Sequence, residues 1–150
     1  FELKQGTASI VRGRMEYGVI NEETSRMVLP KYVGDLGITE FLPSNMQDDT
    51  YTNTTCEFDE SDLVYTKTIR LSELDYNVHG NNIAYIKMAT DCFTFAEYAS
   101  LNIAVLEIYY TNQCFEGDQI NLYKKKIDNK YIIEGKTDTK SIFRAVFILR

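Results

Sequence analysis

The chain has 150 residues, 44% of them hydrophobic and 25% charged, which suits one compact domain with a real core. A net charge of -6 and a pI near 4.8 exclude the basic footprint of a general nucleic-acid binder. No apolar run is long enough to span a bilayer, and the opening FELKQGTASIVRGR lacks the three parts of a signal peptide. The expectation is therefore a cytoplasmic protein without membrane insertion. The chain starts on Phe1 and reads as beginning partway along a longer protein. Cys56, Cys92 and Cys114 show no CxxC spacing, and a single histidine cannot complete a zinc site, so reduced thiols, no metal and no other cofactor are expected.

Along the chain, TASIVRGRMEYGVI (7–20) is rich in β-formers and predicts a strand. NEETSR follows as a turn, and MVLP as a short second strand or exit segment. Pro30 and Pro43 bracket a mixed stretch, and the acidic QDDTYTNTTCEFDESD (47–62) reads as a linker or surface loop. LVYTKTIRL (63–71) alternates and predicts a strand. Residues 82–99 contain no Gly or Pro and predict one helix with a wide apolar face. One stripe is Ile83, Ile86, Ala89, Thr90 and Phe93; Tyr85, Met88, Cys92 and Phe95 form a second beside it. Four strand-like runs follow, at 103–114, 118–127, 130–138 and 141–150, with FEGD and IDNK as hairpin turns between the first three. A long helix against a curved antiparallel sheet is an α+β fold.

The only histidine, His79, stands in LDYNVHGNNIAYI among Asp75, Asn77, Asn81 and Asn82, just before the expected helix. Short polar residues there are helix caps as a rule, and Asn81 or Asn82 is the natural N-cap. A helix N-terminus also favours negative charge, so a carbonyl held there would be stabilised as an oxyanion on attack. An imidazole beside it would accept or return a proton. If the segment is extended, the side chains of Asp75, Asn77 and His79 alternate onto one side. Asp75 would hold the imidazole or act as base, and Asn77 would orient a water or a carbonyl. Lys124, Lys125, Lys126 and Lys130 form the one basic cluster, either a solvated hairpin tip or a dock for an acidic partner.

The segment resembles the D-x-N-x-H-x-N-N-x-x-Y stretch of the acyl-acyl carrier protein (ACP) thioesterases, matching Asp75, Asn77, His79, Asn81, Asn82 and Tyr85 in order. EIYYTNQCFEGDQI resembles the strand that follows it in that family. SIVRGRMEYGVINEETSRMVLP resembles the end of the family's first domain, with its ET-R turn and proline. The resemblance implies a hot-dog fold, a long central helix wrapped by a curved antiparallel sheet. It also implies a division into closing strands of a truncated first hot-dog domain (1–30), a linker (31–62) and a complete second domain (63–150). The implied activity is release of fatty acid from acyl-ACP, in fatty acid biosynthesis. An acyl-CoA thioesterase and a non-catalytic acyl-binding module are the alternatives. The implied catalytic set is Asp75, Asn77 and His79 with Gln113 and Cys114, and the implied substrate-binding set is Asn81, Asn82 and Tyr85. Gln113 stands where the family has Glu and cannot act as a base. Either Asp75 and His79 carry the chemistry while Gln113 positions water, or Cys114 is the nucleophile or a water-orienting neighbour, or the site is non-catalytic. Glu116 on the turn is a weak substitute. The partners implied are acyl-ACP and, across open sheet edges, a second copy in a dimer.

Overall fold

Side-chain alternation and turn chemistry set the strands of a computed structural model, which describes residues 1–21, 23–24, 26–29, 32 and 51–150. Contacts divide the chain into two units, Phe1–Thr50 and Tyr51–Arg150. Glu22 and Ser25 of the expected turn, Pro30, Pro43 and the first part of the expected linker lie outside the described residues.

In the first unit, β1 (Glu2–Gln5) and β2 (Ala8–Arg12) form an antiparallel hairpin, turned at Gly6 with φ of +63°. β3 (Val19–Asn21) pairs with β4 (Arg26–Val28), and the Asn21 side chain closes their turn by accepting from the Thr24 N–H at 2.8 Å. The single strand expected over 7–20 is thus two short strands, separated by residues 13–18 with a glycine at each end.

The second unit is a five-stranded antiparallel sheet in the order β5-β7-β8-β9-β6. Its strands are β5 (Leu63–Thr68), β6 (Ile103–Tyr110), β7 (Gln119–Ile127), β8 (Lys130–Lys136) and β9 (Ser141–Leu149). β6 stops four residues before the expected end. The Thr111 and Asn112 N–H groups both turn to the Ile142 carbonyl, at 2.9 and 3.1 Å, instead of continuing the ladder. β5 likewise ends at Thr68, where Ile69 leaves the strand to bond across to Asp118.

The helix expected over 82–99 is two helices, α1 (Asn82–Thr90) and α2 (Phe95–Ser100). Thr94 restarts the chain as a capping box: its hydroxyl accepts from the Glu97 N–H, and the Glu97 carboxylate accepts from the Thr94 N–H. The two expected stripes are corrected in the same way. The buried positions are Ala84, Tyr85, Met88, Ala89, Cys92 and Phe93, whereas Ile83 is 61% and Phe95 89% exposed. The break rotates Phe95 out of the line that an unbroken helix would have given it.

The buried helix face rests on Ile120, Leu122, Ile133, Phe143, Ala145 and Phe147. Ile132 and Val146 pair with each other and point to the opposite face, yet they too are fully buried. Their cover is the extended segment 51–58, which lies across the far side of the sheet. Glu107 of β6 accepts from the Thr52 N–H and hydroxyl, at 3.1 and 2.7 Å, and the Tyr109 hydroxyl accepts from the Asn53 N–H at 3.0 Å. Lys125 donates to the Glu57 carbonyl at 3.0 Å, and the Phe58 ring packs on Tyr123. The compact unit therefore begins at Tyr51, ahead of the boundary expected at residue 63.

Ile132→Ala is expected to lower unfolding free energy by about 2–5 kcal/mol in denaturant titration, the cost of a cavity in a fully packed site. A loss well below about 1 kcal/mol would mean that this face is not covered by the 51–58 segment.

Candidate active site

The loop before α1 is tight rather than extended, which corrects the one-sided alternation of Asp75, Asn77 and His79. Leu74 and Gly80 form an antiparallel bridge, the Asp75 N–H donates to the His79 carbonyl at 2.8 Å, and the Val78 N–H donates to the Asp75 carbonyl at 3.1 Å. The Asp75 carboxylate accepts from the backbone N–H groups of Asn77 and His79, at 2.8 and 3.2 Å. Asp75 is spent on the backbone of its own loop, and no hydrogen bond joins it to the imidazole among the described residues. Val78 pays for the turn with φ of +63°, a strained conformation for a β-branched residue.

Two further backbone bonds fix where the loop sits. The Gly80 N–H donates to the Cys114 carbonyl at 2.9 Å, and the Asn81 N–H donates to the Glu73 carbonyl at 2.7 Å. Asn81 is the N-cap of α1, its side chain accepting from the Ile83 N–H at 2.8 Å. Ala84 and Tyr85 donate to the Asn81 carbonyl. Of the donors at this helix start, only the Asn82 N–H takes part in no hydrogen bond among the described residues. An oxyanion at this helix end would therefore meet Asn82 and not Asn81.

His79 is half-buried, and its ring stands edge-on to Phe115 with centroids 5.3 Å apart. Asn77 is exposed. Gln113 is exposed as well, and its backbone carbonyl accepts from the Lys140 ammonium at 2.9 Å. Cys114 is fully buried, with its Sγ 3.2 Å from the Tyr85 hydroxyl. Burial holds this thiol above its ordinary range, so the thiolate that a nucleophile requires is disfavoured. Tyr85 is 3% exposed, packs against Phe143 and Tyr110, and has its phenol pushed up by burial. Its hydroxyl points at Cys114 within the core, not at an open pocket. The structure thus brings His79, Gly80, Asn81, Asn82, Tyr85 and Cys114 together, with Phe115 as an unforeseen neighbour. A Cβ at Gly80 would collide with both the Tyr85 hydroxyl and the Cys114 sulfur. Gly80 was legible only as the one residue between His79 and the Asn pair that lacks a side chain.

The basic cluster of the β7–β8 hairpin is dispersed. Lys124 pairs with Glu97 at 3.2 Å and lies over Phe93, and Lys125 pairs with Asp62 at 2.9 Å on the other face. Lys126 lies over Tyr131, and Lys130 donates to the Thr54 hydroxyl. Among the described residues no group of His, Cys, Asp and Glu could hold a metal ion, and no helix is long and apolar enough to cross a membrane.

A family model for the acyl-ACP thioesterase C-terminal domain matches residues 56–144, more than half of the chain. No curated protein sequence gives a significant match. Among solved structures, an acyl-ACP thioesterase from Bacteroides thetaiotaomicron is 23% identical with a TM-score of 0.65, over 87% of this chain and 53% of that one. A 12:0-ACP thioesterase from Umbellularia californica is 20% identical with a TM-score of 0.71, over 87% of this chain and 52% of the other. The chain spans about half the length of these relatives. At such identities the likeness is one of fold, an α+β architecture shared with hot-dog thioesterases, though built here with two short helices.

Gly80→Ala is expected to destabilise the protein by about 1–3 kcal/mol, as overpacking does. Adding Tyr85→Phe, which removes the nearest of the three colliding atoms, is expected to restore part of that loss in thermal unfolding; no recovery would contradict the contact. In the native state a disulfide reagent is expected to react first with half-buried Cys56 and slowly with Cys114 and Cys92. Burial pushes the Cys92 thiol up to about 12. Fast labelling of Cys114 would contradict its burial.

Proposed function

The chain belongs to the acyl-ACP thioesterase family, and from that premise we propose that it hydrolyses the thioester of an acyl-ACP, with His79 as the base that activates water. The observation that carries this reading is the coincidence, inside the matched region, of the lone imidazole with an unused N–H at the start of α1. The acyl carbonyl would sit over that helix end, its developing oxyanion accepting from the Asn82 N–H with the helix dipole behind it. His79 takes a proton from water as it attacks and returns it to the departing thiolate. Asn77, exposed on the same loop, orients the carbonyl or the water.

Asp75 supports this scheme by holding the loop backbone. Gln113, neutral and exposed, can orient a water but cannot take its proton. Tyr85 and Cys114 belong to the packing that positions the loop, which argues for water rather than a cysteine as the nucleophile. Release of fatty acid from its carrier ends chain elongation, so we place the activity in fatty acid biosynthesis and the protein in the cytoplasm. We further assign residues 51–150 as a hot-dog domain and residues 1–30 as the end of a preceding one. Among the described residues β5 and β6 each have one paired neighbour in the sheet, and the edges left unpaired there support self-association.

His79→Ala, assayed on a long-chain acyl-ACP with the matching acyl-CoA alongside, is expected to lower kcat by about 10²–10⁴-fold, the ordinary worth of a positioned base. Folded wild-type protein that turns over neither substrate, or a variant that keeps full activity, would sink the assignment.

A further inference from the structure

With Asp75 committed to the backbone of its own loop, the His79 ring is left without a carboxylate. Among the described residues its two nitrogens take part in no hydrogen bond and no ion pair. A histidine at a working site is as a rule fixed in tautomer and ring plane by the bond that one nitrogen makes. Here no such bond does that. The ring contact that His79 makes is with Phe115, with centroids 5.3 Å apart and planes at 79°. That is the edge-to-face arrangement which aromatic pairs prefer.

Phe115 can serve as a fixed wall because its own backbone is clamped on both sides. Its N–H donates to the Asp118 carboxylate at 3.0 Å, and the Asp118 N–H returns to the Phe115 carbonyl at 3.1 Å. Gly117, with φ of +89°, allows that turn. The turn is tied in its own right to the end of β5. The Gly117 N–H donates to the carbonyl of fully buried Ile69 at 3.0 Å, and the Ile69 N–H donates to the Asp118 carbonyl at 2.9 Å. One residue before Phe115, the Cys114 carbonyl accepts from the N–H of Gly80, the residue after His79. The two rings therefore stand on backbones that one hydrogen bond joins, a single residue from each. Phe115 itself is 46% exposed, so the core does not depend on its ring for packing.

We propose that Phe115 is the positioning residue of the site: its ring, in place of a carboxylate, holds the His79 imidazole in the plane from which it activates water. The proposal rests on the thioesterase reading and deepens it. An imidazole free to turn meets its water in few of its orientations, and orientation is a large part of what a positioned base contributes. A phenyl ring restricts that turning by contact alone. It forms no conventional hydrogen bond, so the lone pair that accepts the proton stays available. Phe115 acts only through His79 and takes no part in the bond changes.

The test reads position apart from fold. Phe115→Ala is expected to lower kcat on acyl-ACP by about 10–100-fold with KM within about twofold, and Phe115→Tyr to keep most of the wild-type rate. In a His79→Ala background the same Phe115→Ala is expected to cost nothing further, because the residue acts through the imidazole. An equal loss in both backgrounds would assign Phe115 to substrate contact and overturn the proposal. Full activity of Phe115→Ala would overturn it too. NMR gives a readout that needs no turnover. His79 is the only histidine, so its ring C–H signals are identified without ambiguity. They are expected to carry a ring-current displacement that Phe115→Leu abolishes, while the amide signals of β8 and β9 stay in place. Imidazole signals unmoved by that substitution would overturn the proposal. A wild type that hydrolyses neither acyl-ACP nor acyl-CoA sinks the thioesterase reading, and the imidazole signals then still decide whether Phe115 holds the ring.

Discussion

Everything at the candidate site depends on the contact of a bare Cα with two buried side chains. Gly80 lies against the Tyr85 hydroxyl and the Cys114 sulfur, and there is no room for a methyl group. Tyr85 belongs to α1, Cys114 to the connection from β6 to β7, and Gly80 to the loop that carries His79. The Gly80 N–H bonded to the Cys114 carbonyl closes the same junction through the backbone. Because interiors are close-packed, a shift in any one of the three moves the other two. The junction therefore fixes the loop that carries His79 against the start of α1. It also accounts for a buried tyrosine and a buried cysteine within a site-like motif.

That junction is held in place by a sheet covered on both faces. Apolar burial against α1 supplies the larger part, at roughly 25 cal/mol per Å² removed from water. The far face is fastened by polar contacts of the 51–58 segment, of which the buried Glu107 with its Thr52 and Tyr109 donors is the firmest. The exposed ion pairs, such as Lys4 with Glu2 or Lys124 with Glu97, add little by comparison. The division of labour places rigidity under the site.

The strands from Ile103 onward were legible because their alternation, and the turn residues at 115–118 and 127–130, act over short range. The helix start was legible for the same reason, since Asn81 caps locally. The break at Asp91–Thr94 was also written in the sequence, as Thr94 followed by Glu97, but continuous apolar spacing masked it. The role of the 51–58 segment could not be read, because its polar residues look like a loop until Glu107 and Tyr109 are brought beside them by the sheet. At the site, the identity of the residues was visible and their division into roles was not. Alternation implied that Asp75 faces His79, yet the strained turn at Val78 directs the carboxylate to backbone N–H groups instead. Cys114 beside Gln113 looked reactive in one dimension, and only packing against Tyr85 shows it to be a buried thiol.

The central claim is that water, activated by His79 over the start of α1, cleaves the thioester without help from a nucleophilic side chain. Mass spectrometry of the intact protein, quenched during steady-state turnover of a long-chain acyl-ACP, tests this most directly. The account predicts release of free fatty acid with the protein mass unchanged at every time point. An acyl adduct mapped to Cys114, formed and lost at the rate of turnover, would contradict it.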